Sequence, residues 1–241
     1  MCKIPSPQEY DARVDLKAVI PARRGSKGIP NKNLQTVGGI SLLERIVGTA
    51  KDFGVFSEII VSSNSFPILE LAQNLGVSAL ERPETLSGDK SRAREVVEHV
   101  LITREINSKD DQVIFYLQPT SPFTTVDTLS QILTKLQNTK RPVFTARVAD
   151  PPSKLLVVDE QMLAGAWQEN GNPTSNRQEI EETYMATGGC YGFSVGDFYR
   201  SGDIPVIGAE AHLVKWPEYI DIDSVDDLNA ANLIDQHRGF V

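Results

Sequence analysis

The chain has 241 residues, 40% hydrophobic and 23% charged, which fits a globular fold and excludes disorder, collagen and coiled coil as whole-chain descriptions. Its formal charge of −8 offers no general attraction to nucleic acid or anionic lipid, so neither is expected as a partner and any bound anion must meet a local basic cluster. Two cysteines, Cys2 and Cys190, make no disulfide framework or zinc spacing, and no run approaches a membrane span or signal-peptide core, so a soluble, unprocessed, cytoplasmic protein is expected.

Residues 1–16 are polar and proline-containing and read as an arm outside the fold. The domain then opens with a buried-strand signal over 17–22. Ser41 and Glu44 have capping-box spacing, and Leu42, Leu43, Ile46, Val47 and Ala50 recur on one helical face. A β-branched run over 58–62 predicts the next strand. Ile68, Leu69, Leu71, Ala72 and Leu75 predict a helix that stops at Gly76. Residues 78–80 read as strand, 92–106 as helix, 112–117 as a central strand and 126–136 as helix. Strands separated by helices imply a mostly parallel sheet covered on both faces, an α/β fold.

After 142–146 the rhythm breaks. Pro151, Pro152 and the turn-rich stretch 169–175 interrupt short strands such as 155–158, which predicts an inserted arm over about 150–188 within a domain running from 17 to 241. Strands at 189–195 and 212–216 and a closing helix at 224–236 complete the reading. Ligands of such sheets bind outside the carboxyl ends of the strands, so the loops there deserve the closest reading.

Residues 22–33 carry Arg23, Arg24, Lys27 and Lys32, and without these four, 20 basic residues face 32 acidic ones. Gly25 and Gly28 allow close backbone approach to an anion, and Ser26 can donate to its oxygens. A polyphosphate suits that chemistry, with a solvated basic turn as the plainer alternative. The loop matches neither a Walker A sequence nor a GxGxxG fingerprint, which weakens ATPase and dehydrogenase readings. At the other end of the chain, Asp221 and Asp223 have the i, i+2 spacing that puts both carboxylates on one face of an extended segment. Paired carboxylates plus phosphate oxygens and water suit Mg²⁺, and a solvated acidic strand end is the alternative. Asp226 and Asp227, after Ser224, read as structural acids in a helix's first turn, where the backbone dipole favours negative charge. The scattered His99, His212 and His237 show no metal spacing, Cys190 reads as inert core, and Phe115, Tyr116, Phe193 and Tyr199 read as core.

The segment Ile20-Pro-Ala-Arg-Arg-Gly-Ser-Lys-Gly-Ile-Pro-Asn-Lys-Asn33 resembles the opening signature of the acylneuraminate cytidylyltransferases. Leu117-Gln-Pro-Thr-Ser-Pro-Phe123 and Ile220-Asp-Ile-Asp-Ser-Val-Asp-Asp-Leu228 resemble that family's later blocks in the same order. The resemblance covers the chain from about Leu16 onward and implies a Rossmann-like nucleotidyltransferase sheet, use of CTP and Mg²⁺, a nonulosonic acid acceptor, and a homodimer formed through the inserted arm. It implies that Arg23, Ser26 and Lys27 hold the triphosphate, that Ala22 joins the CTP-binding set, and that Lys32 with Asn33 lines the reaction centre. By the same resemblance Arg82 and Ser91 read the cytosine, Gln118, Lys154 and Arg177 bind the acceptor, and Asp221 and Asp223 hold the metal. Arg82 could instead pair with Glu84, Gln118 could merely satisfy loop amides, and Lys154 and Arg177 could be solvated.

One departure stands out. Members acting on N-acetylneuraminate commonly carry an Arg-Pro-Asn-Gly-type sequence where this chain has Met185-Ala-Thr-Gly-Gly-Cys-Tyr191. The loss of a guanidinium and an amide points to a differently substituted acid, such as legionaminic or pseudaminic acid. A related enzyme using another nucleotide or a shorter ulosonic acid, or a non-catalytic CTP-binding homologue, are the remaining alternatives.

Overall fold

The computed structural model describes residues 15–25, 28–88, 91–107, 112–167, 169, 171, 172, 174 and 182–237. Its centre is a seven-stranded sheet built from β1 (Asp15–Pro21), β4 (Glu58–Ser63), β5 (Ser78–Glu81), β6 (Gln112–Leu117), β7 (Val143–Ala149), β10 (Thr183–Ser194) and β11 (Glu210–Leu213), while β2 (Thr36–Val37) and β3 (Ile40–Ser41) pair apart from it. The spatial order is β11-β7-β10-β6-β1-β4-β5. Strand pairs β1/β4, β1/β6, β4/β5 and β7/β11 are parallel, whereas β10 runs antiparallel to both its neighbours. The sheet is therefore mostly parallel, with one reversed strand that sits inside it rather than at an edge.

Helices α1 (Leu42–Phe53), α2 (Phe66–Asn74), α3 (Ala93–Thr103), α4 (Val126–Thr139), α5 (Val195–Ser201) and α6 (Val225–Gln236) fill the connections. Each start has a local cause. Ser41 and Glu44 close a capping box on α1, Thr125 caps α4, and Ser224 with Asp227 closes a box on α6. One apolar cluster packs α1, α2 and α4 on one face of the sheet, through residues such as Leu43, Ile46, Ile68, Phe115 and Leu133. A second packs α3 and α5 on the other, through Val97, Leu101, Tyr116, Phe193 and Phe198. Each fully buried Leu, Ile or Phe contributes roughly 1.5–3 kcal/mol relative to exposure.

The strand boundaries refine the sequence reading. β1 starts at Asp15, and Leu16 is 3% exposed, so these two residues belong to the sheet and not to the arm expected over 1–16. Residues 1–14 lie outside the described residues. Helix α3 stops at Thr103, short of the expected 106, and Glu105 follows in the left-handed region. Tyr199, read as core from the sequence, is 40% exposed on α5. Cys190 is buried, and burial pushes its thiol well up, which suits the inert reading.

Between β7 and β10 the chain leaves the sheet. Pro152–Lys154 forms a 3₁₀ turn, then β8 (Leu156–Val158) and β9 (Ala164–Ala166) pair as an isolated antiparallel hairpin whose strand residues are all exposed. Leu156, Met162, Leu163 and Trp167 are among its exposed apolar side chains. Among the described residues no helix is long and apolar enough to cross a membrane.

Candidate active site

The carboxyl ends of β1, β4, β5 and β6 share one edge, and the loops leaving β1, β5 and β6 line a cavity of about 220 Å³. Its wall includes Arg23, Lys32, Asn33, Arg82, Ser91 and Gln118, all singled out from the sequence. The structure thus gathers six candidates from three separate loops around one space.

The basic loop after β1 is held by its own polar groups. Ala22 donates its N–H to Ser62 O at 2.9 Å, and Arg24 donates its backbone N–H to Asn64 Oδ1 at 2.9 Å. Asn33 is 8% exposed, and its Nδ2 donates to Arg23 O at 3.1 Å, closing the loop on itself. Ala22 is fully buried in the core and does not line the cavity; Pro21 beside it does. Ser26 and Lys27 lie outside the described residues.

A small apolar cluster ties this loop to the acidic segment. Ile29, Val37, Leu42, Phe123, Ile222 and Ala231 pack together, with Ile222 fully buried. Ile222 N also donates to Thr120 O at 2.9 Å, which joins the loop after β6 to the same assembly. Gly28 lies so close that a Cβ there would meet Asp223 O at 2.2 Å, so the position tolerates no side chain without a backbone shift. The i, i+2 pattern now has its cause: Ile222 anchors inward and the flanking carboxylates remain for other partners.

Lys32 Nζ lies 2.8 Å from Asp223 Oδ1, joining the basic and acidic rims directly. The Asp223 side chain is 78% exposed, whereas that of Lys32 is 14% exposed. Asp221 is half-buried, and burial raises its carboxyl above the usual range; a hydrogen bond from Thr120 and the Lys32 charge oppose the rise, while Asp223 and Asp227 add to it. Asp221 Oδ1 is buried without a hydrogen-bond partner. A buried acceptor left open beside a second carboxylate fits a hard divalent cation, which takes oxygen ligands and completes its shell with phosphate and water. Among the described residues no cluster of three or more His, Cys, Asp or Glu side chains is placed to hold a metal, so these two carboxylates would be the protein's whole donor set. Asp227 Oδ2 accepts from the backbone N–H groups of Asp223 and Ser224, which makes it a structural group at the start of α6, as the sequence suggested.

At the far side, Arg82 is 4% exposed and its Nε donates to Ser87 Oγ at 3.2 Å. Burial lowers its pKa; the nearby Arg23 charge acts in the same sense, and Tyr116 opposes it. Glu84, the partner weighed from the sequence, accepts instead from Asn64 Nδ2 at 2.8 Å. Gln118 packs against Gly188, whose φ of +80° leaves open the face that the amide occupies: a Cβ there would lie 3.2 Å from Gln118 Oε1. Behind it, Thr187 Oγ1 donates to Thr145 Oγ1 at 2.8 Å, and Cys190 N donates to the same oxygen at 3.0 Å, which fixes the bulged stretch of β10.

Lys154 sits in the 3₁₀ turn beyond β7 and is not part of the cavity wall, and Arg177 lies outside the described residues. Sequence reasoning missed Tyr116, Thr120, Leu86, Val96 and Arg92 in that wall. Tyr116 was legible, because it precedes Gln118 by two on an extended strand and so shares its face. Arg92 was legible too, as the residue between Ser91 and the start of α3. At Met185, where the sequence departs from the family pattern, Arg147 stands directly opposite in register, with its Nη2 3.6 Å from the thioether sulfur and its guanidinium 5.5 Å from the Tyr219 ring centre.

Comparison with known proteins places this architecture. A family model described as cytidylyltransferase matches residues 17–200. Pseudaminic acid cytidylyltransferase of Campylobacter jejuni is 27% identical over 224 residues, covering 90% of this chain and 94% of that protein. CMP-N,N'-diacetyllegionaminic acid synthase of Legionella pneumophila is 34% identical over 113 residues, 46% of this chain and 49% of that protein. Among solved structures, a CMP:2-keto-3-deoxy-manno-octonic acid synthetase complexed with CTP superposes with a TM-score of 0.68 at 15% identity, covering 93% of this chain and 99% of that one. At that identity the likeness speaks for the fold.

Proposed function

The chain belongs to the cytidylyltransferase family, and from that premise we propose that it activates a nonulosonic acid, transferring the cytidylyl group of CTP to the acid's anomeric hydroxyl with release of pyrophosphate. The observation that carries this reading is the 2.8 Å contact between Lys32 and Asp223, which joins a cation-lined cavity to the acidic segment before α6. A nucleotide's phosphates and a divalent ion are the complementary pair that would satisfy both rims at once.

The roles follow from the chemistry of each group. The buried Arg82 fork offers planar donors to a pyrimidine carbonyl and ring nitrogen, with Ser91 beside it. Arg23 and Lys32, with Ser26 and Lys27 of the same loop, would bind the triphosphate and stabilise charge that builds on phosphate oxygens as the α-phosphate is attacked. Gln118, in the cavity wall beside Gly188, would orient the acceptor. Asp221 and Asp223 would hold Mg²⁺, which when bound polarises phosphate oxygens and neutralises the departing pyrophosphate. No side chain needs to act as a covalent nucleophile.

The nearly full-length likeness to a pseudaminic acid cytidylyltransferase and the Met185 departure both favour an acceptor other than N-acetylneuraminate. Two copies would pair through the exposed apolar hairpin of β8 and β9, and such pairing offers Lys154 and Arg177 a route to the partner's acceptor site.

The test is a panel of pseudaminic, legionaminic and N-acetylneuraminic acids and 3-deoxy-manno-octulosonate, each with Mg²⁺ and CTP, UTP, GTP or ATP, read by mass spectrometry. CMP-linked product from a nine-carbon acid is expected. CTP binding with no product from any acid would mean a binding protein, and product from another nucleotide would overturn the CTP assignment. Arg23→Ala is expected to lower turnover by orders of magnitude, and near-normal product formation would remove it from the reaction centre.

A further inference from the structure

Lys32 faces two ways. Its side chain lines the cavity with Arg23 and Arg82, yet its ammonium is engaged by Asp223 Oδ1 at 2.8 Å. The backbone around it is fixed, since Gln35 N donates to Lys32 O at 3.0 Å and Asn33 Nδ2 donates to Arg23 O. The four-carbon stem is not fixed in that way, and a compact ammonium can exchange one anionic partner for another by rotating it. Across from it, Asp223 is exposed and Asp221 Oδ1 is buried without a partner. One ammonium thus serves the place where a cation with more ligand positions would satisfy both carboxylates.

We infer that Lys32 is an internal counter-ion for the Asp221 and Asp223 pair while no metal is bound, and that it yields this place to a divalent cation and turns to the nucleotide's phosphates. The inference rests on the nucleotide reading above and adds a coupling to it. Without metal, CTP meets a cavity in which one cation is already neutralised by protein. With metal, that cation is released at the moment the phosphates need it. By linkage, each ligand then favours the other through a protein side chain, in addition to any direct contact between them.

The experiment is calorimetric binding of CTP to the full chain, without acceptor, in EDTA and in Mg²⁺, for the wild type, Lys32→Met, Asp223→Asn and the double variant. Lys32→Met is expected to weaken CTP about tenfold in Mg²⁺ and less than about threefold in EDTA. Asp223→Asn is expected to tighten CTP in EDTA about fivefold when Lys32 is present and less than about twofold when it is replaced. Equal factors in the two backgrounds, or an equal loss with and without Mg²⁺, overturn the proposal. Lys32→Gln repeats the series should the methionine variant fail to fold.

A second arm separates this from a failure of the nucleotide reading. Mn²⁺ binding without nucleotide, followed by electron paramagnetic resonance, is expected to tighten about fivefold more in Lys32→Met than in Arg23→Met. Equal effects of the two substitutions overturn the counter-ion role even if CTP never binds. Absence of CTP binding to the wild type in Mg²⁺ defeats the nucleotide reading and leaves the Mn²⁺ comparison to decide the role of Lys32.

Discussion

The cavity rim and the hairpin arm are built on opposite plans. Around the cavity, charged groups stand on a packed base: Ile222 is fully buried between them, Phe123 is 1% exposed, and Arg82 and Asn33 are themselves buried. In the arm, no strand residue of β8 or β9 is covered by its own chain, and Met162 is 79% exposed. The first region seats its charged groups on its own packed residues, and the second presents apolar surface outward. A site whose backbone must stay in place while ligands and the Lys32 ammonium change partners needs the first plan, because a packed base keeps the remaining charges preorganised.

The same substitution placed in both regions tests the contrast most strongly. Ile222→Asp buries an unpaired carboxylate and is expected to cost about 4 kcal/mol and abolish CTP binding, whereas Val157→Asp in the arm should change single-chain stability by less than about 0.5 kcal/mol. Denaturant unfolding and calorimetry read both; similar losses would erase the distinction. Next in size is Gly28→Ala, whose new methyl must displace Asp223 O. A cost of about 1–3 kcal/mol is expected, with CTP affinity falling more than tenfold, because the two rims are forced apart. Gly165→Ala in the arm, where a Cβ meets only ordinary contacts, should leave both quantities unchanged.

Thr145→Val removes the hydroxyl shared by Thr187 and Cys190 and should cost about 1–2 kcal/mol, seen as a lower unfolding midpoint. The smallest effect concerns pH. His99, beneath the cavity on α3, has its pKa lowered by burial and by the Arg82 charge, and its Nδ1 is buried without a partner. The unfolded chain therefore binds this proton more readily than the folded one. Its stabilising contribution is complete above the unfolded value near 6.5 and is lost as pH falls through the lower folded value. His99→Gln should flatten the stability profile between about pH 7.5 and 5.5, measured by denaturant midpoints; an unchanged slope would show that the proton goes elsewhere.

Much of this was legible in the chain because the relevant signals are local. The capping box at Ser41, the β-branched strands and the glycine-spaced basic loop each depend on neighbours a few residues away. The meeting of Gly28 with Asp223 was not legible, since it depends on how β1 and the last loop cross the same sheet edge. The reversed direction of β10 was hidden for a similar reason: a buried apolar strand carries no mark of which way it runs. Tyr116 was assigned to the core and is indeed 4% exposed, yet its ring also forms cavity wall; burial fraction alone does not separate the two situations. Lys154 was placed near the acceptor by motif, and within one chain the fold leaves it outside the cavity.

The reversal of β10 has one further consequence. Because β7 ends and β10 begins at the same edge, and their pairing starts with Ala149 opposite Thr183, the described residues between 150 and 182 contribute no rung to the large sheet. Such a stretch can be lengthened, shortened or exchanged while every ladder hydrogen bond stays in place. Beside a fixed cavity, the molecule therefore carries an exchangeable cassette, free to diversify at a rate its framework cannot follow.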